Sequence, residues 1–334
     1  MNKLTLSLSP HVHSGDSVSK NMRWVIIAML PAMLWSFYAF GMGAVIVTAV
    51  SVASCVFFEW AINKYILKND KCTVCDLSAV VTGILLAFNL PSNLPLYIII
   101  IGALFAIGVV KMTFGGLGCN PFNPALTGRI FLLIAYPVQM TDWTTHAPDA
   151  LSGSTMLAEV KGSTYDAAGN IVLGNMNLTN VNFMDMFSGY MNGSMGEIAA
   201  LALILGGLYL LWRRVISWHI PVAVLGTMAI FAVCVALSIG GGELCYQLPL
   251  FHILAGGALL GAIFMATDYS TSPMTHKGML IYGVGIGLIT MIIRLWGAYP
   301  EGMSFAIFIM NAATPLINKY CRPKRFGTGQ TAKK

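Results

Sequence analysis

Charge is the scarcest property of this 334-residue sequence: 10% of residues are charged, and only 13 are acidic. A soluble domain carries about 25% charged residues, so a free-standing water-soluble fold is excluded. Cysteine is too scattered to build an iron–sulfur cluster. Cys72 and Cys75 form a lone CxxC, half of a four-ligand site, and no second pair or histidine follows at a zinc-finger interval. Cys55 and Cys234 sit in apolar runs and read as packing residues, and His11 and His13 belong to a polar tail with no metal partner beyond each other. No glycine-rich phosphate loop is present. Gly206-Gly207 and Gly240-Gly-Gly242 follow no strand and precede no Lys-Ser/Thr, which excludes a nicotinamide or nucleoside-triphosphate fingerprint. Residues 1–21 lack an apolar core and a small-residue cleavage site, so no cleavable leader is expected.

Long hydrophobic runs are abundant. Hydrophobic residues make up 57% of the chain and the mean hydropathy is +0.74. Ten apolar segments lie near 24–41, 43–62, 77–90, 96–113, 126–140, 196–212, 220–239, 250–267, 279–293 and 302–318. A bilayer needs about 20 apolar residues per helical span. Several segments are shorter, as in broken helices that line a site. With the N-terminus inside and ten spans alternating, only Lys161 and Arg294 of the 19 lysines and arginines fall outside. That asymmetry fixes the orientation, with both termini cytoplasmic. The net charge of +6 then reflects basic residues at cytoplasmic helix ends, so lipid and not nucleic acid is the expected surroundings. Loop 139–194 faces outward, carrying Asp142, Asp149, Glu159, Asp166 and Asp185 against the single Lys161.

The two halves share a layout. In the first, a span ends in Phe88-Asn-Leu-Pro-Ser-Asn-Leu-Pro95, another follows, and Gly115-Gly-Leu-Gly-Cys-Asn-Pro-Phe-Asn-Pro124 opens the next. In the second, a span ends in Ala266-Thr-Asp-Tyr-Ser-Thr-Ser-Pro273, another follows, and Gly297-Ala-Tyr-Pro-Glu-Gly302 opens the next. Five spans per half is an odd number, so the halves are expected to be inverted, with a central site between them. The expected fold is an all-α integral membrane protein of about ten transmembrane helices in two inverted five-helix repeats. Its parts are a cytoplasmic tail 1–22, a first half 23–138, an extracytoplasmic loop 139–194, a second half 195–318 and a cytoplasmic tail 319–334.

Few residues can carry chemistry. Ser152-Gly-Ser-Thr155 is expected to offer an exposed hydroxyl on a flexible backbone within the outer loop, with Asp149 six residues ahead of Thr155. By itself it also reads as an ordinary turn. Asn120 and Asn123 flank Pro121; their amides, which both donate and accept, either suit a polar ligand edge or cap a helix-breaking turn. Asp268, Glu59, Arg129 and Arg294 lie near span ends, where an ionisable group is a functional candidate or an interfacial anchor. Asp268, between the halves, is the candidate for a charge on an ion or cofactor path. Arg294, on the outer side, is placed to offset an anionic group such as a phosphate. Asn177-Leu-Thr179 and Asn192-Gly-Ser194 match outward glycosylation sequons without further meaning in a bacterial chain.

Several blocks in order carry a family resemblance. They are Ser9-Pro-His11 with Ser14-Gly-Asp-Ser-Val18, Gly115 to Ala125 with Gly128-Arg129, Phe264-Met-Ala-Thr-Asp268, Thr271-Ser-Pro273, Tyr299-Pro-Glu-Gly302 and Met310-Asn311. With Asp149-Ala-Leu-Ser-Gly-Ser-Thr155 they resemble the D-subunit family of the Rnf complex, the ion-translocating ferredoxin:NAD oxidoreductase. That family is similar to the B subunit of the sodium-translocating NADH:quinone oxidoreductase. The resemblance implies a flavoprotein subunit of a bacterial inner-membrane translocase that moves Na⁺ or H⁺. It implies FMN esterified through its phosphate to Thr155 by a separate flavin transferase, making the residue a phosphothreonine. It extends to a second, non-covalent flavin near Asn120 and Asn123, and to partner subunits A, B, C, E and G. The family has Ala before the acceptor and often Pro after it; Ser154 and Met156 stand here, so Ser154 is a rival acceptor. The alternatives are a quinone-reducing relative, against which the short tail before the first span argues, and a transporter without a redox role.

Overall fold

The computed structural model describes residues 16–68, 73–144, 152–164, 176, 178 and 181–322. Helices account for nearly all regular structure, and every one of the ten apolar runs is helical, whole or broken. Helix α1 (Val18–Phe40) starts where Ser17 accepts the Lys20 N–H, and it ends at Gly41. Gly41 takes φ of 65°, a left-handed conformation that costs a glycine little, and lets α2 (Met42–Ala61) begin at once. A π-helical turn, Ile62–Ile66, extends α2. Then come α3 (Ser78–Phe88), α4 (Leu96–Leu104, continuing as a π-helix through Phe105–Met112), α5 (Pro124–Ala135) and α6 (Pro137–Met140).

The long loop between the halves holds β1 (Trp143–Thr144), β2 (Ser152–Gly153), α7 (Met156–Ser163) and α8 (Phe183–Ser188). Its two short strands pair antiparallel, Trp143 opposite Gly153, a small exception to the expected all-α fold. Asp149 and the sequon residues Asn177 and Thr179 lie outside the described residues, as do Cys72, His11 and His13. The second half holds α9 (Ala200–Trp212), α10 (His219–Ile239), α11 (Leu244–Leu254), α12 (Ala258–Leu260, continuing as a π-helix through Gly261–Met265), α13 (His276–Trp296) and α14 (Met303–Tyr320).

Among the described residues, α1, α2 with its π turn, α10 and α13 are long and apolar enough to cross a membrane, and the bent pair α11–α12 makes a fifth. These segments fit a multi-pass membrane protein. A helix of 21 residues is about 30 Å long, the thickness of the hydrocarbon core. Helix α3, with 11 residues, reaches about half that, yet nine of its residues are buried. It is a core element ringed by α1, α2 and α5.

Close approach fixes the join between the halves. Helices α1 and α9 pack along each other, and a Cβ added to Gly206 would collide with the Ala28 carbonyl oxygen. A backbone atom cannot step aside as a flexible side chain can. A Gly206→Leu variant is therefore expected to lose about 1–3 kcal/mol, the usual cost of overpacking. Its thermal midpoint in detergent micelles, followed by tryptophan fluorescence, should fall clearly below that of a Gly226→Leu control, whose added Cβ meets nothing within 4 Å.

Candidate functional site

Helix breaks place charged side chains inside the protein. Between Leu254 and Ala258 the chain bends by 64°, with Gly256 and Gly257 at φ of 70° and 63°. The break frees backbone groups where no water can reach them. Arg294, on α13, donates through Nη1 to the His252 carbonyl at 2.5 Å and through Nη2 to those of Ala255 (2.8 Å) and Gly256 (3.0 Å). Its Nε reaches the Glu301 carbonyl at 3.3 Å. The Glu197 carboxylate accepts the Gly256 N–H. All three Arg294 nitrogens are thus engaged with backbone, and the expectation that Arg294 offsets a flavin phosphate finds no support in this geometry.

The end of α3 is held in a similar way. Asn89 Nδ2 donates to the Leu85 carbonyl at 2.6 Å, and Arg129 Nη1 donates to Asn89 Oδ1 at 3.0 Å and to Ser304 Oγ at 2.8 Å. Arg129 Nη2 forms an ion pair with Glu301. The charge pattern counts Arg129 among the inward-facing cations; it is buried within α5 instead, and only its pairing with Glu301 makes that burial tolerable. Glu59 likewise is no interfacial anchor. It is 1% exposed and paired at 2.6 Å with Lys111 Nζ, which also donates to Ser78 Oγ at 2.7 Å. Sequence reasoning misses Lys111 because a lysine ending an apolar run looks like a snorkelling residue.

The predicted site residues fall into two groups. Asn120, Asn123 and Asp268 come together around a cleft of about 810 Å³ between the halves, with Lys111, Ser78, Tyr269 and the apolar Leu85 and Phe264. Asn123 Oδ1 accepts the Ala125 and Leu126 N–H groups and so caps α5, while its Nδ2 donates to the Met265 carbonyl across the interface. Asn120 donates to the Phe122 carbonyl at 2.9 Å. Asp268 stands in the loop after the broken span and accepts from Ser270 Oγ at 2.9 Å and Thr271 Oγ1 at 3.3 Å. Burial raises its pKa, and those hydroxyls pull it back down.

Thr155 belongs to the other group, in the long loop between the halves. The expectation of an exposed hydroxyl needs correcting: Thr155 is 3% exposed and is the N-cap of α7, its Oγ1 accepting the Ala158 N–H at 3.2 Å. The exposed hydroxyl is that of Ser154, which donates to Glu159 Oε1 at 2.8 Å. Helix α7 is anchored at its far end. Lys161 Nζ donates to the carbonyls of Ile293, Gly297 and Tyr299, and burial lowers its pKa. Nothing in the sequence marks Lys161 as a C-cap for a helix more than 130 residues away. Leu157 and Val160 of α7 line a small cavity with His252 and Arg294, so the loop sits directly on the broken span.

The cap makes Thr155 a structural residue before any modification. Replacing it with Ala should cost about 1 kcal/mol, and Ser should retain most of the cap. In hydrogen exchange by mass spectrometry, amides 156–159 should exchange faster in Thr155→Ala than in Thr155→Ser, with α13 unchanged.

Comparison with known proteins agrees with this architecture. The family described as "NQR2, RnfD, RnfE family" matches residues 5–327. The chain is 47% identical over 334 residues to the D subunit of the "Na(+)-translocating ferredoxin:NAD(+) oxidoreductase complex" of Acetobacterium woodii, covering 99% of this chain and 97% of that protein. It is 41% identical over 332 residues to the D subunit of the "Proton-translocating ferredoxin:NAD(+) oxidoreductase complex" of Clostridium ljungdahlii, covering 98% and 97%. The D subunit of the "Ion-translocating oxidoreductase complex" of Stutzerimonas stutzeri is 38% identical over 346 residues, covering 95% and 94%. With its helices, its breaks and nearly its full length accounted for, the chain belongs to the NQR2, RnfD, RnfE family.

Proposed function

We propose that this chain is a membrane flavoprotein subunit of a complex that couples electron transfer between ferredoxin and NAD to translocation of Na⁺ or H⁺. On this reading FMN is joined through its phosphate to Thr155, and the chain is one subunit among A, B, C, E and G of such a complex, matured by a flavin transferase. It sits in the bacterial cytoplasmic membrane with ten spans as two inverted five-helix halves, both termini inside and the flavin loop outside.

The observation that carries the flavin assignment is the place of Thr155. As N-cap of α7 it stands where the first N–H groups of a helix lack partners. A phosphate on its oxygen would face those donors and the positive end of the helix. A free flavin on the outer face would be lost on dissociation, whereas a covalent one cannot leave. When bound, the flavin supplies an exchange of electrons in pairs and singly that no side chain performs. The chain's part is to fix the phosphate at α7 and to anchor that helix through Lys161.

Repetition of packing supports the inverted halves. Helix α2 packs on α3 and α4, and α10 packs on α11 and α13; α3 and α4 pack on α5, and α12 with its π-helix and α13 pack on α14. Lys111 and Arg294 occupy matching places near the ends of α4 and α13, and each binds the third element of its own half. The second, non-covalent flavin is assigned on this reading to the cleft between the halves. Its apolar walls suit a flat ring, and the Lys111 ammonium and Asn120 amide are polar groups for its pyrimidine edge. Asp268, which also lines this cleft, is the ion-path candidate. The relatives' full-length matches favour the ferredoxin:NAD reading over the quinone-reducing one.

Flavin attachment is tested on protein produced with its flavin transferase, denatured and viewed under ultraviolet light on a gel. Fluorescence should survive denaturation, persist in Ser154→Ala and vanish in Thr155→Val. Persistence in Thr155→Val with loss in Ser154→Ala would move the attachment by one residue. A dark wild-type band would end the covalent-flavin reading and favour a transporter without redox chemistry.

A further inference from the structure

Positive charge gathers at one end of the seam between α1 and α9, which pack along each other. There the Arg213 guanidinium lies 3.8 Å from the centre of the Trp24 ring and 5.7 Å from that of Trp212. Tyr209 completes the group, its ring 6.1 Å from Trp24 and edge-on to it. Arg214 follows Arg213 at φ of 57°, and Arg23 precedes Trp24 on α1; all three arginines are exposed. We propose that this end of the seam binds the phosphate headgroup of an anionic phospholipid, held by Arg213 and Arg214, with Trp24 and Trp212 bordering its acyl chains. The proposal needs only that α1 and α2 cross a bilayer, and it is independent of the flavin assigned to Thr155.

Three observations converge on it. First, the arginines have uncompensated charge. Among the described residues the ion pairs are Lys20–Asp16, Lys111–Glu59 and Arg129–Glu301, so no carboxylate there neutralises Arg23, Arg213 or Arg214. A guanidinium is planar, weakly hydrated and always charged, which suits it to a phosphate at the edge of a low-dielectric region. Second, the grip is set in advance. Stacking on Trp24 holds the Arg213 plane, so less rotamer freedom is lost when a headgroup arrives. Arg214 takes a left-handed backbone at the turn that ends α9, where glycine is usual, and so places a second cation directly after the first. Third, the group lies at headgroup depth. Helices α1 and α2 are spans joined at Gly41 and therefore run in opposite directions. By helical rise Trp24 lies about 26 Å from Gly41 and Trp60 about 28 Å, both close to the thickness of the hydrocarbon core. Trp60 also carries a cation, Lys64 Nζ, 5.1 Å from its ring centre. Trp212 is 74% exposed, as suits a tryptophan in the aromatic belt. A soluble anion would use the arginines but gain nothing from that exposed ring; a phospholipid uses both.

The test titrates the full chain in a nonionic detergent with phosphatidylglycerol or with phosphatidylcholine of the same acyl chains, and native mass spectrometry reads the bound lipid. Phosphatidylglycerol should bind much more tightly. Arg213→Ala and Arg214→Gly should each cut that preference about fivefold, the effect of one cation near an anionic surface. Arg214→Gly guards against misfolding, because glycine adopts the φ at this position more readily than arginine. Lys277→Ala, which removes an exposed cation at the start of α13, should keep the wild-type preference. Glycerol 1-phosphate, the soluble headgroup alone, should displace no lipid. Equal binding of the two lipids, a preference unchanged in both arginine variants, or an equal loss in Lys277→Ala would overturn the lipid site. Displacement by glycerol 1-phosphate would also overturn it, and would assign the arginines to a soluble phosphate.

Discussion

Backbone groups inside a bilayer have no water to bond, and this chain breaks a helix within one of its apolar runs. The clamp at Ala255-Gly256-Gly257 shows the solution. Arg294 takes the carbonyls that the break releases, and Glu197 takes the Gly256 N–H. One cation and one carboxylate thus replace the missing helical bonds and bring opposite charges to the same turn, which lessens the cost of burying either. The first half repeats the tactic at the end of α3, where Arg129 bridges Asn89, Ser304 and Glu301. Few charged residues are available, and several buried ones are used to make irregular backbone permissible.

Those breaks create the spaces between the halves. Because α3 is short and α11–α12 is bent, the elements leave a cleft bounded by Lys111, Asn120 and Asp268 on one side of the clamps. The long loop settles on the broken span, with α7 seated on His252 and Arg294 and tied by Lys161 to the end of α13. The loop's threonine is consequently a fixed point of the protein. A phosphate held there would sit at a helix N-terminus anchored to the same broken span that shapes the central cleft. Hydrogen bonds from Lys161 join this loop to the end of α13 and the turn after it.

Much of this is legible in the sequence. The ten hydrophobic runs coincide with helical elements, because apolar length is a strong signal where lipid excludes every alternative. Asn123-Pro124 announces a helix start, and that is its role. What composition cannot reveal is pairing across distance. Glu59 and Lys111 are 52 residues apart, and Lys161 finds its acceptors more than 130 residues away. Each alone reads as a solvated or snorkelling charge. The burial of Thr155 is hidden for a related reason: Ser-Gly-Ser-Thr suggests a free loop, whereas the Met156–Ser163 helix that buries it shows only a weak apolar pattern.

The central claim is that Thr155 is the point where a redox group joins this membrane framework. The most direct measurement is peptide mass spectrometry on the protein taken from its native membrane. Cleavage after Arg129 and Lys161 yields peptide 130–161, which contains Ser152, Ser154 and Thr155. The account predicts that this peptide carries the mass of FMN less one water, with fragment ions placing it on Thr155. A peptide 130–161 of unmodified mass, from membranes whose complex is active, would contradict it.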